Sequence, residues 1–271
     1  MSRCGWGILG TGKIARIMAC ALRDSQAGWL VAVASRSAGR AAGFASQFGI
    51  SRHYPDYASL IGDPDVDIVY VATHHPDHRE WAVAAAEARK HVLCEKPLAV
   101  TADGAAEIIE AARRSGVFLM EAFAYRCHPQ TSRLVETIRA GVIGKVRMVD
   151  ASFGYDAGPE PGNYLLVHAL GGGSILDVGC YATSMAHLIA AAGSGADIGW
   201  ASNVCMQIRH STGVPAAMTE PKFSVEPQCG QASCVLGMAS SSLLSRRLRL
   251  RRRDTIFQRL VYQKSTCETP G

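Results

Sequence analysis

A charged pair at the end of an apolar run is the first feature of this sequence that could do chemistry. In HVLCEKPL (91–98), Glu95 and Lys96 follow an apolar run directly and precede Pro97. Such a run predicts a buried strand, and ligands of parallel sheets bind at the carboxyl ends of strands. An ammonium placed there can bond a substrate hydroxyl and favour its alkoxide, and Glu95 could either set the orientation of the lysine or tune its pKa. Lys96 is therefore a candidate catalytic residue; the alternative is a solvated loop lysine before a turn.

A second candidate cluster lies in LGGGSILDVGCYATSMAHLIA (170–190), which reads as a glycine loop leading into a helix. Asp177 and Tyr181 are four residues apart, so a helix places both on one face, where they can meet a common substrate. Each also has a plain structural interpretation. Ser174 and Asp177 fit the S-x-x-D pattern of a capping box, and Tyr181 could be a core residue of an amphipathic helix.

The segment GTGKIA (10–15) matches the pattern G-x-G-x-x-G/A between a strand-like run and a helical pattern. Gly10 permits a tight turn, and Gly12 lets the backbone approach a pyrophosphate. Lys13 and Ile14 then open a helix whose free N–H groups face the phosphates. The segment predicts a dinucleotide site; a plain glycine turn is the alternative.

The choice of dinucleotide is made at the end of the second strand, where an acidic residue would bond the ribose hydroxyls of NAD. This chain has Ser35 and Arg36 there, with Arg40 one turn further. Serine and arginine can bond a 2′-phosphate, and Arg36 can also stack on adenine. The sequence therefore favours NADP(H) over NAD(H), unless Arg36 is only a solvated surface residue.

The segment THHPDH (73–78) follows the third strand at the same sheet edge. Its imidazoles could hold substrate hydroxyls or relay protons. A metal site is not predicted here, because no cysteine or carboxylate set accompanies the histidines. His78 has an alternative as a helix-start residue that bonds the backbone.

Strand-like and helical patterns alternate strictly through the first half of the chain, which predicts a parallel sheet covered on both faces. The predicted strands are 4–10, 29–35, 67–73, 91–96 and 117–123, and the predicted helices are 13–22, 39–49, 78–90 and 103–116. We expect an N-terminal Rossmann domain at 1–122, with a doubly wound parallel sheet that binds NADP. A C-terminal α+β domain for substrate binding and dimerisation, with an open, mostly antiparallel sheet, would occupy 123–271, with its first strand at 144–155.

Composition narrows the class of protein. The chain of 271 residues has 48% hydrophobic residues, which suits one large or two moderate globular domains. No apolar run approaches the roughly 20 residues of a membrane span, and the N-terminus lacks a signal-peptide pattern. Nine scattered cysteines without a CxxC predict reduced thiols in a cytoplasmic protein.

The last third of the chain departs from this regularity. Residues 1–190 hold 18 basic and 18 acidic side chains, whereas 191–271 hold 10 and 5 and so carry the whole net charge of +5. Strands are hard to find beyond 190, and the run at 240–254 is rich in arginine. A truncated or frame-shifted product and a diverged native C-terminus are both open. Nucleic-acid binding is not expected, because no aromatic residues interleave the arginines.

Taken jointly, the motifs resemble the glucose–fructose oxidoreductase, inositol dehydrogenase and MocA (Gfo/Idh/MocA) family, in the branch with dihydrodiol and xylose dehydrogenases. They are GILGTGKIA (7–15), ASRS (34–37), YVATHHPDH (70–78), CEKPLAV (94–100) and GGGSILDVGCYATSMAHL (171–188). The match runs to about residue 190. The chain is shorter than the family pattern, and 161–173 lacks an arginine expected before the glycines, which puts the holding of the substrate there in doubt.

The resemblance implies an NAD(P)-dependent dehydrogenase that oxidises a secondary alcohol of a sugar, cyclitol or trans-diol, with a homodimer formed through the C-terminal sheet. It places Lys96 beside the nicotinamide, commonly before a cis bond to Pro97, and makes Tyr181 the proton-transferring residue. The cofactor contacts it implies at the sheet edge are Thr73, His74, Pro76, His78, Glu95, Lys96, Pro97 and Arg126. The alternative is a cofactor-binding protein without turnover.

Overall fold

In the computed structural model, residues 3–26, 28–155 and 163–194 are described, together with the backbone of two strands at 222–225 and 234–237. The residues divide into two compact units. The first holds the chain up to Ala124 with Ala169–Gly171, and the second holds Tyr125–His168 and continues from Gly172.

The first unit is built on a parallel sheet of six strands in the order β3-β2-β1-β4-β5-β6. This is the Rossmann order, in which the order of the strands reverses between β1 and β4 and leaves a crevice at their carboxyl ends. The strands are β1 (Cys4–Leu9), β2 (Gly28–Ala34), β3 (Arg52–Tyr54), β4 (Ile68–Val71), β5 (His91–Cys94) and β6 (Leu119–Glu121).

Helices cover both faces of this sheet, as the apolar strands predict. On one face Ile8, Val33 and Leu93 pack with α1 and α2 residues such as Ala19 and Phe44. The opposite face carries the second core, where strand valines meet α3, α4 and α5. The helices of this unit are α1 (Lys13–Arg23), α2 (Ala38–Phe48), α3 (Tyr57–Ile61), α4 (His78–Glu87) and α5 (Ala102–Ser115).

The doubly wound sheet is thus confirmed, and two short elements were missed. The strand β3 has only three residues and α3 only five, which is too little for a periodic pattern to register. Asp56 caps α3 by accepting a hydrogen bond from the Ser59 N–H at 2.7 Å.

The second unit combines two helices with a small antiparallel sheet. The helices are α6 (Pro129–Arg139) and α7 (Cys180–Ser194), which pack together. The strands are β7 (Asp150–Ala151), β8 (Lys222–Val225) and β9 (Cys234–Gly237), in the order β7-β8-β9. The antiparallel sheet is confirmed, although β7 is shorter than the strand expected at 144–155. Two strands do exist beyond residue 190, while the arginine run at 240–254 lies outside the described residues.

Candidate active site

The turn after β1 needs glycine at Gly10 for two independent reasons. Its φ of +106° lies in the region that side chains disfavour, and a Cβ there would sit 2.4 Å from the Ala72 carbonyl oxygen. The Gly10 N–H donates to the Ala34 carbonyl at 2.9 Å, and the Ala72 N–H donates to the Leu9 carbonyl at 2.9 Å. The turn is therefore fixed between β2 and β4, at the crevice between β1 and β4.

Gly12 differs from Gly10, because the protein itself does not require glycine there. Its φ of −74° and ψ of −176° are ordinary extended backbone, and a Cβ would meet no atom within 4 Å. At this N-terminus of α1 no side chain caps the helix, and the first turn holds no acidic residue. Lys13 and Ile14 are exposed. An open, uncapped helix N-terminus with a bare backbone fits a pyrophosphate.

The three residues expected to contact the ribose and its 2′-phosphate follow closely after β2. Ser35 is buried, and its hydroxyl accepts a hydrogen bond from the Ser37 N–H at 3.4 Å. Arg36 and Arg40 are exposed. The Arg36 Nη1 atom lies 3.7 Å from the Asp77 Oδ2 atom, so a carboxylate from the loop after β4 also faces this guanidinium.

The loop after β4 turns through a short 3-10 segment, His75–Asp77, before α4 begins at His78. Thr73, His74 and Pro76 lie in this loop and are partly buried. His78 is fully buried, with Nδ1 2.8 Å from the Pro97 carbonyl oxygen and Nε2 3.3 Å from that of Thr73. Its imidazole therefore joins the loop to the segment that carries Lys96, which agrees with the backbone-bonding interpretation.

Burial lowers the pKa of His78 from 6.5 to about 4, because a charged imidazolium loses its hydration there. Since the folded-state pKa lies below the unfolded value, the unfolded chain binds this proton more readily between these two values. We expect the stabilising contribution to be complete above about pH 6.5 and to be lost as the pH falls towards 4. The loss amounts to about 3 kcal/mol in the free energy of unfolding.

Chemical unfolding of the wild type and of His78→Gln between pH 7.5 and 4.5 measures this contribution. The slope of stability against pH should flatten in the variant, whereas the exposed His53→Gln should keep the wild-type slope. Parallel slopes in all three proteins would show that His78 does not titrate as its burial requires.

Lys96 follows β5 directly and is partly buried, and its peptide bond to Pro97 is cis. The Glu95 side chain accepts a hydrogen bond from the Lys96 backbone N–H at 3.2 Å through Oε2. Its other oxygen, Oε1, accepts a hydrogen bond from the Tyr70 hydroxyl. Burial raises the pKa of Glu95, and the bonds from Tyr70 and Lys96 oppose that rise. Glu95 thus bonds the backbone at Lys96.

Two further side chains lie at this edge of the sheet. Tyr70 lies in β4 and is buried. Its hydroxyl donates a hydrogen bond to Glu95, and its backbone pairs with β5. Glu121 ends β6, and its Oε1 atom accepts a hydrogen bond from the Leu98 N–H at 2.8 Å. In the sequence, both residues are indicated only by a hydroxyl group or a charge within an otherwise apolar run.

In the second unit, Asp177 lies in a π-helical turn, Ile175–Gly179, that leads into α7. Ser174 makes no side-chain cap there, so the capping-box interpretation is wrong. The Asp177 Oδ2 atom instead accepts a hydrogen bond from the Tyr155 hydroxyl at 2.5 Å. Burial and the neighbouring carboxylate raise the pKa of Tyr155, which keeps its phenol protonated. Turns of this type are frequent at functional sites.

Tyr181, at the start of α7, is partly buried between two aromatic rings. Its ring centroid lies 5.2 Å from that of Phe153, edge to face, and 6.1 Å from that of Tyr125. Arg126 is exposed, and its Nη2 atom donates to the Ser184 hydroxyl at 2.9 Å. Ser184 also bonds the Tyr125 hydroxyl at 2.7 Å. The second unit thus holds Tyr181, Asp177 and Arg126 through neighbouring polar and aromatic side chains.

Two searches of the described residues bear on other kinds of site. In the part of the chain that the structure describes, no group of three or more His, Cys, Asp or Glu residues could hold a metal ion. One helical stretch, His168–Ser194, is long and apolar enough to cross a membrane by length and composition alone. Many of its residues are buried, and core helices of soluble proteins pass the same test.

Comparison with known proteins decides the family. Residues 4–123 match the model of an oxidoreductase family with an NAD-binding Rossmann fold, and 131–216 match that of the GFO/IDH/MocA C-terminal domain. The chain belongs to the Gfo/Idh/MocA family. The expected resemblance is thereby confirmed along both parts of the chain.

Curated relatives in this family are named as dehydrogenases. The chain is 38% identical to trans-1,2-dihydrobenzene-1,2-diol dehydrogenase of Danio rerio, over 81% of this chain and 64% of that protein. The Mus musculus protein of the same name is 35% identical, over 86% and 73%. D-xylose 1-dehydrogenase (NADP(+)) 2 of Haloferax volcanii is 38% identical, over 68% and 56%. The match thus spans less than two thirds of most of these relatives.

Solved structures of Gfo/Idh/MocA type agree with the fold. Aldose-aldose oxidoreductase from Caulobacter crescentus, complexed with glycerol, superposes with a TM-score of 0.65 at 34% identity, covering 69% of this chain and 58% of that one. A 3-ketoreductase from Actinomadura kijaniata, in complex with NADP and TDP-benzene, gives 0.61 at 36% identity, covering 66% and 55%.

Proposed function

We propose that this chain is an NADP-dependent dehydrogenase that oxidises a secondary alcohol of a sugar, cyclitol or trans-diol. The observation that carries the proposal is the open N-terminus of α1, where Gly12 leaves space that no atom of the described residues fills. The relatives named as diol and xylose dehydrogenases support the class of substrate. The bare helix terminus supports the binding of a dinucleotide pyrophosphate.

The proposed chemistry gives each predicted catalytic residue a role. Bound NADP(+) supplies the nicotinamide ring that accepts a hydride from the substrate carbon. The Lys96 ammonium would hydrogen-bond the reacting oxygen and stabilise negative charge on it, and Tyr181, as the phenolate, would accept its proton and become the neutral phenol. Asp177, held by Tyr155, would contact a neighbouring substrate hydroxyl. Arg126, held by Ser184, would contact the nicotinamide or the substrate.

The proposal favours NADP(H) over NAD(H) because Ser35, Arg36 and Arg40 follow β2 where an acidic residue would serve NAD. We expect Arg36→Ala to raise the Kd for NADPH about 10- to 100-fold, the worth of one charge-assisted hydrogen bond to phosphate. The Kd for NADH should stay within about twofold, because NADH lacks the 2′-phosphate. Fluorescence titration with both nucleotides measures the two constants.

Arg23→Ala is the matched control for this prediction, since Arg23 is an exposed arginine at the far end of α1 that pairs with Asp24. Both affinities should be unchanged in the control. Equal weakening of NADPH and NADH by Arg36→Ala would argue against a 2′-phosphate site and leave only adenine stacking.

The proposed activity as a whole is tested by titrating the purified protein with NADPH and NADH, followed by a rate screen with aldoses, cyclitols and trans-diols. Binding with turnover of one of these alcohols is the expected result. Binding without turnover would favour a cofactor-binding protein, and failure to bind either nucleotide would overturn the whole proposal.

The proposal also includes a division into domains at residues 1–122 and 123–271, a homodimer formed through the C-terminal sheet, and a cytoplasmic location. The free thiols of Cys4, Cys94 and Cys127 suit a reducing compartment.

Light scattering of the purified protein measures its mass, and a monomer at micromolar concentration would contradict the dimer.

A further inference from the structure

Three adjacent strands each bring a polar side chain to the segment that carries Lys96. From β4, the Tyr70 hydroxyl donates to Glu95. Glu95, directly after β5, accepts a hydrogen bond from the Lys96 N–H at 3.2 Å. From the end of β6, Glu121 accepts one from the Leu98 N–H at 2.8 Å. The backbone on each side of Pro97 is therefore tied to a carboxylate.

The two carboxylates hold the segment from opposite faces of the sheet. Tyr70, the partner of Glu95, belongs to the core beneath α1 and α2. Leu98, the partner of Glu121, belongs to the core on the other face. Burial raises the pKa of the Cys94 thiol, and both carboxylates raise it further. Neither face alone would fix the direction in which the chain leaves β5.

Leu98 is buried, and its N–H lies beyond the last pair of residues that join β5 and β6. A buried N–H outside the ladder needs another acceptor, and the Glu121 carboxylate supplies it. Glu121 itself pairs with Cys94 across the strands, so its backbone position is set by the sheet. A rigid element thus carries the acceptor, which is how reactive groups are held in place.

We infer that Glu121 is a positioning residue for Lys96, which fixes the backbone after Pro97 while Glu95 fixes it before. The inference rests on the proposed function of Lys96, and it assigns Glu121 no contact with cofactor or substrate. Without the hydrogen bond from the Leu98 N–H to Glu121 the segment shifts, and the Lys96 ammonium is no longer held in one orientation. A displacement of about 1 Å at a reacting group can lower turnover about 100-fold.

Kinetics of three Glu121 variants test the inference. Glu121→Ala should lower kcat about 10- to 100-fold and leave the Kd for NADPH within about threefold, because only the presentation of the lysine changes. Glu121→Gln should keep most of the activity, since its amide oxygen can still accept from Leu98. Glu121→Asp, which keeps the charge but draws the acceptor back, should lose activity even if the alanine variant fails to fold.

Glu110→Ala is the matched control, because Glu110 is an exposed carboxylate on α5 that pairs with Arg113. Its kcat should equal that of the wild type. Wild-type kcat in both Glu121→Ala and Glu121→Asp would overturn the inference, and so would a loss in Glu121→Gln as large as in Glu121→Ala.

A readout without turnover separates this inference from the proposed function. Trace acetylation by acetic anhydride, followed by mass spectrometry, reports how readily the Lys96 amine reacts, with Lys145 as an internal reference. The rate at Lys96 should change severalfold in Glu121→Ala and Glu121→Asp but not in Glu121→Gln. If the wild type turns over no alcohol, the proposed activity fails, and these rates still decide the role of Glu121. Equal rates in every variant would overturn that role.

Discussion

Replacing Gly12 by valine is expected to raise the Kd for NADPH about 100-fold or more while the melting temperature stays near that of the wild type. The backbone of Gly12 is ordinary extended chain, which valine adopts readily. In the part of the chain that the structure describes, no atom lies within 4 Å of the new Cβ, so the turn has room for it. The added isopropyl group would instead occupy the space in which a pyrophosphate meets the α1 N–H groups.

Titration with NADPH and a thermal melt of the same sample measure both quantities. Gly43→Val is the matched control, because Gly43 also has nothing within 4 Å of its Cβ position but lies inside α2. This control should bind NADPH normally and be slightly more stable, since valine is a better helix former than glycine. Unchanged affinity in Gly12→Val would mean that no phosphate approaches this turn.

Replacing Lys96 by alanine is expected to lower kcat about 1,000-fold, because the reacting oxygen would lose the cation that stabilises its negative charge. The Kd for NADPH should change by no more than about threefold, since the pyrophosphate and ribose are held elsewhere on the first unit. Alanine keeps the backbone N–H of residue 96, from which Glu95 accepts a hydrogen bond.

The rate is measured with whichever alcohol the screen identifies, with saturating NADP. Lys145→Ala, at an exposed lysine in the loop after α6, should retain the wild-type rate. If Lys96→Ala retained turnover, Lys96 would be a solvated loop lysine without a catalytic role. A loss of NADPH binding as large as the loss of rate would assign the lysine to cofactor binding instead.

The fold of the first unit could be predicted because its signals are local and repeated. Each of the long strands is a continuous apolar run, and the glycine turn lies between such a run and a helix. The elements that escaped, β3 and α3, are too short for periodicity and are held by contacts with elements already formed. Strand β3 takes its place by pairing with β2, which a local pattern does not reveal.

The sequence could predict only those site residues that are recognisable from their residue type and their position at the end of a strand. Lys96 and Glu95 were evident from their position after an apolar run. The hydrogen bonds of Tyr70 and Glu121 could not be predicted, because they depend on the register of β4 and β6 with β5, set by residues more than 20 positions away. His78 shows the same limit: its sequence context fitted two roles, and its burial and its contacts with two backbone carbonyls appear only in the structure.

The π-helical turn at Ile175–Gly179 has a consequence for how this protein family can change. A π turn is formally an α-helix with one residue inserted. Deleting Val178 or Gly179 from it would restore regular winding, keep α7 as a helix, and rotate Asp177 by about 100° relative to Tyr181. The angle between the two side chains can therefore be altered in one step by a change in chain length, which no substitution at either position achieves.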